Sequence, residues 1–158
     1  MATKLILDAC LSILFVVGLT KRDYICKHKR LQGYDEVDFD NVSQIIAQSD
    51  GVIFTPNVLS ETSNIIRYGV NDPLRSELAI KLGVIISNAD ERVIESRDAV
   101  RRREYVRLGL TDAVLLELLA RCGATLLTID LDLYLAASNA GLNTVNYNHI
   151  KEQRPDFQ

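Results

Sequence analysis

The sequence predicts a three-layer α/β/α sandwich built on a central, mostly parallel sheet. Short apolar runs alternate with segments of helical length along the whole chain. The runs are continuously apolar rather than alternating in and out, which is the pattern of strands buried on both faces. Strands of that kind need crossover connections, and the intervening segments are long enough to supply them as helices. With 158 residues, 47% of them apolar and 25% charged, the chain fits one domain with a good-sized core.

Taken in order, TKLIL (3–7) reads as a short buried strand, and 9–18 as a helix entered directly from Asp8. Residues 19–37 form a polar connection with two basic clusters, Lys21-Arg22 and Lys27-His28-Lys29-Arg30. NVSQIIAQS (41–49) is a short helix ended by Asp50-Gly51, and GVIFT (51–55), bounded by Gly and Pro, is a strand. Pro56 suits the start of a helix over 57–67, because its missing N–H costs nothing there. Asp72-Pro73 opens a helix that runs to 87, and a charged helix is expected over 90–104. Thr111 is placed as the N-cap of an apolar helix, 112–122, with Gly123 as its stop. ATLLTI (124–129) is the clearest strand, 131–140 a short helix ended by Gly141, and LNTVNY (142–147) the last strand. The domain is expected to span 1–147, leaving 148–158 as a polar tail on the surface. There is no internal repeat and no low-complexity segment.

Composition narrows the function classes. A net charge of −3 makes no global case for nucleic acid, so such a partner would have to be held by a local basic patch. Three cysteines, Cys10, Cys26 and Cys122, form no C-x-x-C pair and are odd in number. That argues against a disulfide framework and for a reducing compartment, so a cytoplasmic location is expected. Cys26 and His28 lie two apart, but with His149 the remaining histidine they do not make a structural zinc cluster. Lys4 and the following apolar residues are faintly like a signal peptide. Asp8 interrupts that run, and no small-residue cleavage site follows Gly18. The stretch from Cys10 to Gly18 is too short to span a bilayer, so no membrane association is expected.

The acids carry the functional signal. In an open parallel sheet, function collects beyond the carboxyl ends of the strands. Asp8 follows the first strand at that end, and Asp130 follows TLLTI, with Asp132 two residues later. Glu61 lies one to two turns into the helix after GVIFT, and Asp112 opens the helix before the TLLTI strand. Each acid alone has a structural reading: Asp8, Asp112 and Asp130 as first-turn helix acids, Glu61 and Asp132 as exposed residues. Together at one rim they repel one another and call for a cation, and an oxygen-rich set suits Mg2+ or Mn2+. Hard cations of this kind activate water and stabilise the leaving oxygen in phosphodiester hydrolysis.

Four pieces in this order, LILDAC, TPNVLSET, GLTDAVLLELLA and LLTIDLDLYLAA followed by LNTVNY, resemble the PIN-domain nucleases, including VapC-type toxins of toxin–antitoxin pairs. The likeness spans roughly residues 4–147. It implies a strand order like 3-2-1-4-5, a pocket for Mg2+ or Mn2+, and endoribonuclease activity. It also implies an inhibitory antitoxin protein as a partner, and a homodimer is a further expectation. The family's four core acids fall on Asp8, Glu61, Asp112 and Asp130, as catalytic and metal-holding residues, with Asp132 near the metal and Thr128 as an orienting hydroxyl. The chain departs from the family directly after the first acid, where Ala9 and Cys10 stand in place of polar residues. That departure keeps a non-catalytic PIN-like module for RNA or protein as one alternative; a structure-specific DNA nuclease is another.

Two basic stretches are candidates for RNA contact: Arg101, Arg102 and Arg103, with Arg107 nearby, and Lys29-Arg30 within the earlier cluster. Their structural reading is a solvated face, since Asp98 lies at helical spacing from Arg101 and Arg102. Tyr24 and Tyr105 stand beside these clusters, as base-stacking groups or as packing residues. No histidine is placed to form a Ser-His-Asp set with Ser60 or Thr62. DLDLYL has the D-x-D form of aspartyl-phosphate phosphatases but sits near the wrong end of the chain for that chemistry.

Overall fold

The computed structural model describes residues 2–157. Five strands, β1 (Leu5–Leu7), β2 (Val52–Phe54), β3 (Asp90–Glu91), β4 (Thr125–Thr128) and β5 (Thr144–Asn146), form one sheet in the order β3-β2-β1-β4-β5. Every pairing is parallel; β1 sits in the centre with Leu5 opposite both Val52 and Thr125. The expected fold class and the strand order 3-2-1-4-5 are both met.

Nine helices cover the sheet among the described residues: α1 (Ala9–Thr20), α2 (Glu36–Ala47), α3 (Pro56–Ile66), α4 (Leu74–Ser87), α5 (Ser96–Ala99), α6 (Tyr105–Leu108), α7 (Leu110–Cys122), α8 (Leu131–Asn139) and α9 (Tyr147–Lys151). Successive strand residues point to opposite faces, so the sheet feeds two cores. Ile6, Ile53 and Leu126 pack with Val114, Leu115 and Leu118 of α7 and Leu133 of α8. Leu7 and Leu127 pack with Leu11, Leu14 and Val17 of α1, Phe39 of α2 and Leu82 of α4. Helix α1 is apolar on nearly all sides because α2, α3 and α4 all lean on it. Gly18 marks the tightest approach: a Cβ there would lie 2.0 Å from the Phe39 ring.

Three expectations fail for physical reasons. The stretch 90–104 is not one helix: it opens with β3, whose residues are charged because an edge strand of two residues buries little. Asp90 there is fastened by Lys4 and Arg92, and α5 and α6 follow as single turns. Thr111 is not an N-cap; α7 begins at Leu110, from Gly109 at φ 89°, with no side-chain cap. Finally, residues 148–157 are not a loose surface tail. Arg154 is 6% exposed and donates to Asp35, Asp38 and Asp156, while Lys151 and the Tyr147 hydroxyl also bond the wholly buried Asp38. Asp35 and Asp38 in turn form the capping box that starts α2 at Glu36, five residues before the predicted start. No helix among the described residues is long and apolar enough to cross a membrane.

Candidate active site: an acidic cleft at the carboxyl edge of the sheet

β1 and β4 end side by side, and the two acids that follow them meet through one hydroxyl. Asp8 is the N-cap of α1: its Oδ1 accepts the Leu11 N–H at 2.8 Å. Its Oδ2 accepts the Ile129 N–H at 2.9 Å and the Thr128 hydroxyl at 2.5 Å. Thr128 Oγ1 in turn accepts the Asp130 N–H at 3.0 Å, so one buried threonine ties both acids to the end of β4. Asp130 caps α8 through the Leu133 N–H at 3.0 Å. The expected polar companions after Asp8 are absent, and Thr128 with two backbone N–H groups supplies the hydrogen bonds instead. Thr128 is the hydroxyl expected to orient the site, whereas the two backbone donors leave no mark in a sequence.

Helices bring in the other two acids. Glu61 projects from the second turn of α3, whose start is fixed by Thr55 as N-cap and Pro56 at its first position. Asp112 lies in the first turn of α7. Asp8, Glu61, Asp112 and Asp130 all line one cleft of about 350 Å³, together with Ala9 and Cys10. None of the four is ion-paired to a base among the described residues.

The electrostatics follow from burial and crowding. Burial pushes the Asp8 carboxyl above the ordinary aspartate range; its hydrogen bonds from Thr128, Leu11 and Ile129 oppose this, and the Asp130 charge adds to it. Asp112 is pushed up to about 7, first by burial and then by the charges of Asp130, Glu61 and Asp8. Burial and the Asp8 charge raise the Cys10 thiol to about 12, so it stays protonated and donates to the Arg30 carbonyl at 3.9 Å. The donor set facing the cleft is therefore carboxylate oxygen, without a thiolate or imidazole. No three His, Cys, Asp or Glu side chains among the described residues stand in a ready-made metal-holding arrangement.

The remaining expected site residues fall elsewhere. Asp132 is outside the cleft, exposed, and 3.6 Å from Arg107, because two residues along a helix rotate it away from the Asp130 direction. Arg101, Arg102 and Arg103 border a different hollow and are matched by acids: Arg101 with Asp98, Arg102 with Glu104 and Glu117, Arg103 with Glu104. Tyr24 and Tyr105 are part-buried packing residues at the edges of the two cores. Lys29 and Arg30 are exposed next to the cleft, on the far side of Cys10.

No protein-family model matches the chain, and comparison with the curated proteins and with the solved structures finds no similar protein.

Proposed function

We propose that this protein is a divalent-cation-dependent hydrolase of RNA phosphodiester bonds, acting at the cleft of Asp8, Glu61, Asp112 and Asp130. The observation that carries the reading is uncompensated charge. Four carboxylates from four segments line one cleft without a basic partner among the described residues, and burial, together with their charges, pushes Asp112 up to about 7. Such a set is stabilised by a cation, and its all-oxygen chemistry fits Mg2+ or Mn2+. When bound, the cation supplies Lewis acidity and a more acidic water.

The chain's own residues would do the rest. Asp8, Glu61, Asp112 and Asp130 would hold the ion. Thr128 and the Leu11 and Ile129 N–H groups keep Asp8 in one orientation, so little reorganisation is needed when substrate arrives. The Asp112 carboxyl, pushed up to about 7 by burial and the neighbouring acids, would hold an ion in its deprotonated form. RNA as the substrate class rests on the likeness to PIN-domain nucleases, and an inhibitory antitoxin and a homodimer belong to the same proposal.

Calorimetric titration with Mn2+ near neutral pH tests it. Binding with proton release in the native protein, abolished in Asp112→Asn, is expected; no heat of binding would exclude the reading. A second reading, a non-catalytic module, is favoured by the three hydrogen bonds that already engage both carboxyl oxygens of Asp8. It predicts retained RNA or protein binding with no Mn2+ binding. Single-stranded RNA, single-stranded DNA and flap substrates assayed side by side separate a DNA nuclease from either.

A further inference from the structure

The acidic cleft repels a phosphodiester, so a nucleic acid must be held by positive charge close by. Helix α3 supplies continuity. From Glu61 in the cleft, Asn64 and Ile65 follow at +3 and +4 on α3, leading away from the acids, and Tyr68 lies in the turn just beyond the end of the helix. Together with Lys29 and Arg30 these three residues line a hollow of about 550 Å³. Cys10 joins the two depressions: it lines the cleft, and its thiol donates to the Arg30 carbonyl.

The basic pair is held in place. His28 is 1% exposed; its Nε2–H donates to the Ile66 carbonyl at 2.8 Å, and its Nδ1 accepts the Arg30 N–H at 3.2 Å. The ring thus pins residues 28–30 onto the last turn of α3. Lys29 lies across Gly69, where a Cβ would come within 3.0 Å of the lysine Cε. Its place near the carboxyl end of α3 satisfies the helix dipole, but that does not account for Arg30 or for Tyr68. Unlike Arg101, Arg102 and Arg103, neither Lys29 nor Arg30 has an acidic partner among the described residues. Tyr68 is 70% exposed, an open aromatic face beside two unneutralised cations.

Resting on the hydrolase reading above, we infer that this hollow holds the substrate strand: single-stranded RNA, with one backbone phosphate on Lys29, the next on Arg30, and an unpaired base stacked on Tyr68. A duplex keeps its base faces stacked on each other, so Tyr68 selects for single strands.

The test is fluorescence anisotropy of a labelled single-stranded RNA of about ten nucleotides, in EDTA so that nothing is cleaved. Tyr68→Ala is expected to weaken binding about 5- to 150-fold, and Tyr68→Phe to restore it. The double variant Lys29→Ala/Arg30→Ala is expected to weaken binding and to flatten the log–log salt dependence by roughly 1.4, two phosphate contacts' worth. Arg101→Ala/Arg103→Ala should bind like the native protein, and a duplex of the same sequence should bind more weakly. Circular dichroism confirms that each variant is folded. The inference is overturned if Tyr68→Ala binds within about twofold of native, if the basic double variant keeps the native salt slope, or if the duplex binds as tightly as the single strand. A protein that behaves as expected in EDTA but cleaves no RNA with Mn2+ supports this surface and defeats the hydrolase reading. One that cleaves RNA, with binding indifferent to these variants, does the reverse.

Discussion

Asp112→Asn should stabilise the divalent-free protein while removing its function. In the native fold the Asp112 carboxyl is pushed up to about 7 from an ordinary 3.8 by burial and by three neighbouring acids. Below about pH 4 the group is protonated whether the chain is folded or not, and it carries no penalty. As pH rises from about 4 to about 7, the unfolded chain loses this proton before the folded one does, so stability falls across that window and stays low above it. The gap corresponds to about 4 kcal/mol for a fully buried group. Asp112 is only half-buried, and solvent screening reduces the figure to about 1–2 kcal/mol. The neutral asparagine does not carry this cost. For a chain of this size the gain corresponds to a rise in Tm of roughly 3–6 °C at pH 8 in EDTA, shrinking towards pH 4. Paired thermal melts at the two pH values measure it. Millimolar Mn2+ should raise the Tm of the native protein at pH 8 and leave Asp112→Asn unmoved. An Asp112→Asn protein that is no more stable than native at pH 8 would refute the reasoning from burial and charge crowding.

Three further outcomes follow from the geometry. Arg154→Ala strips one partner from the wholly buried Asp38, which keeps Lys151 and the Tyr147 hydroxyl, and should cost about 1.5–3 kcal/mol, read from urea unfolding; no measurable loss would return 148–157 to the status of a tail. Gly18→Ala forces a methyl into the Phe39 ring and should cost about 1–3 kcal/mol, with Phe39→Leu recovering part of it in the double variant. Thr128→Val leaves the shape of the β4 end but removes the hydroxyl that bridges Asp8 and Asp130; it should lower Mn2+ affinity about tenfold with little change in the far-ultraviolet circular dichroism, and Thr128→Ser should restore it.

The central sheet was legible because β1, β2 and β4 are apolar runs bounded by helix-starting residues. So were Asp8, Asp112 and Asp130, which follow strands or open helices where parallel sheets keep their sites. β3 was hidden because two charged residues at an edge carry no burial signal. The start of α2 was hidden in an acidic stretch that Tyr147, Lys151 and Arg154, over a hundred residues away, turn into buried structure. Arg101, Arg102 and Arg103 looked like a phosphate surface although Asp98 and Glu104 stand beside them in the sequence; the further partner, Glu117, reaches Arg102 only through folding against α7. Tyr68 carried no signal in the sequence, being one exposed aromatic residue in a turn. Its meaning comes from Lys29 and Arg30, which reach it through the buried His28.

Pooled cellular RNA incubated with the native protein and Mg2+ or Mn2+ should be cut, EDTA should stop the reaction, and Asp112→Asn, folded and more stable, should be inactive under every condition. RNA left intact by the native protein with both metals, or cut equally by Asp112→Asn, would contradict the claim that these four carboxylates form a catalytic cation site.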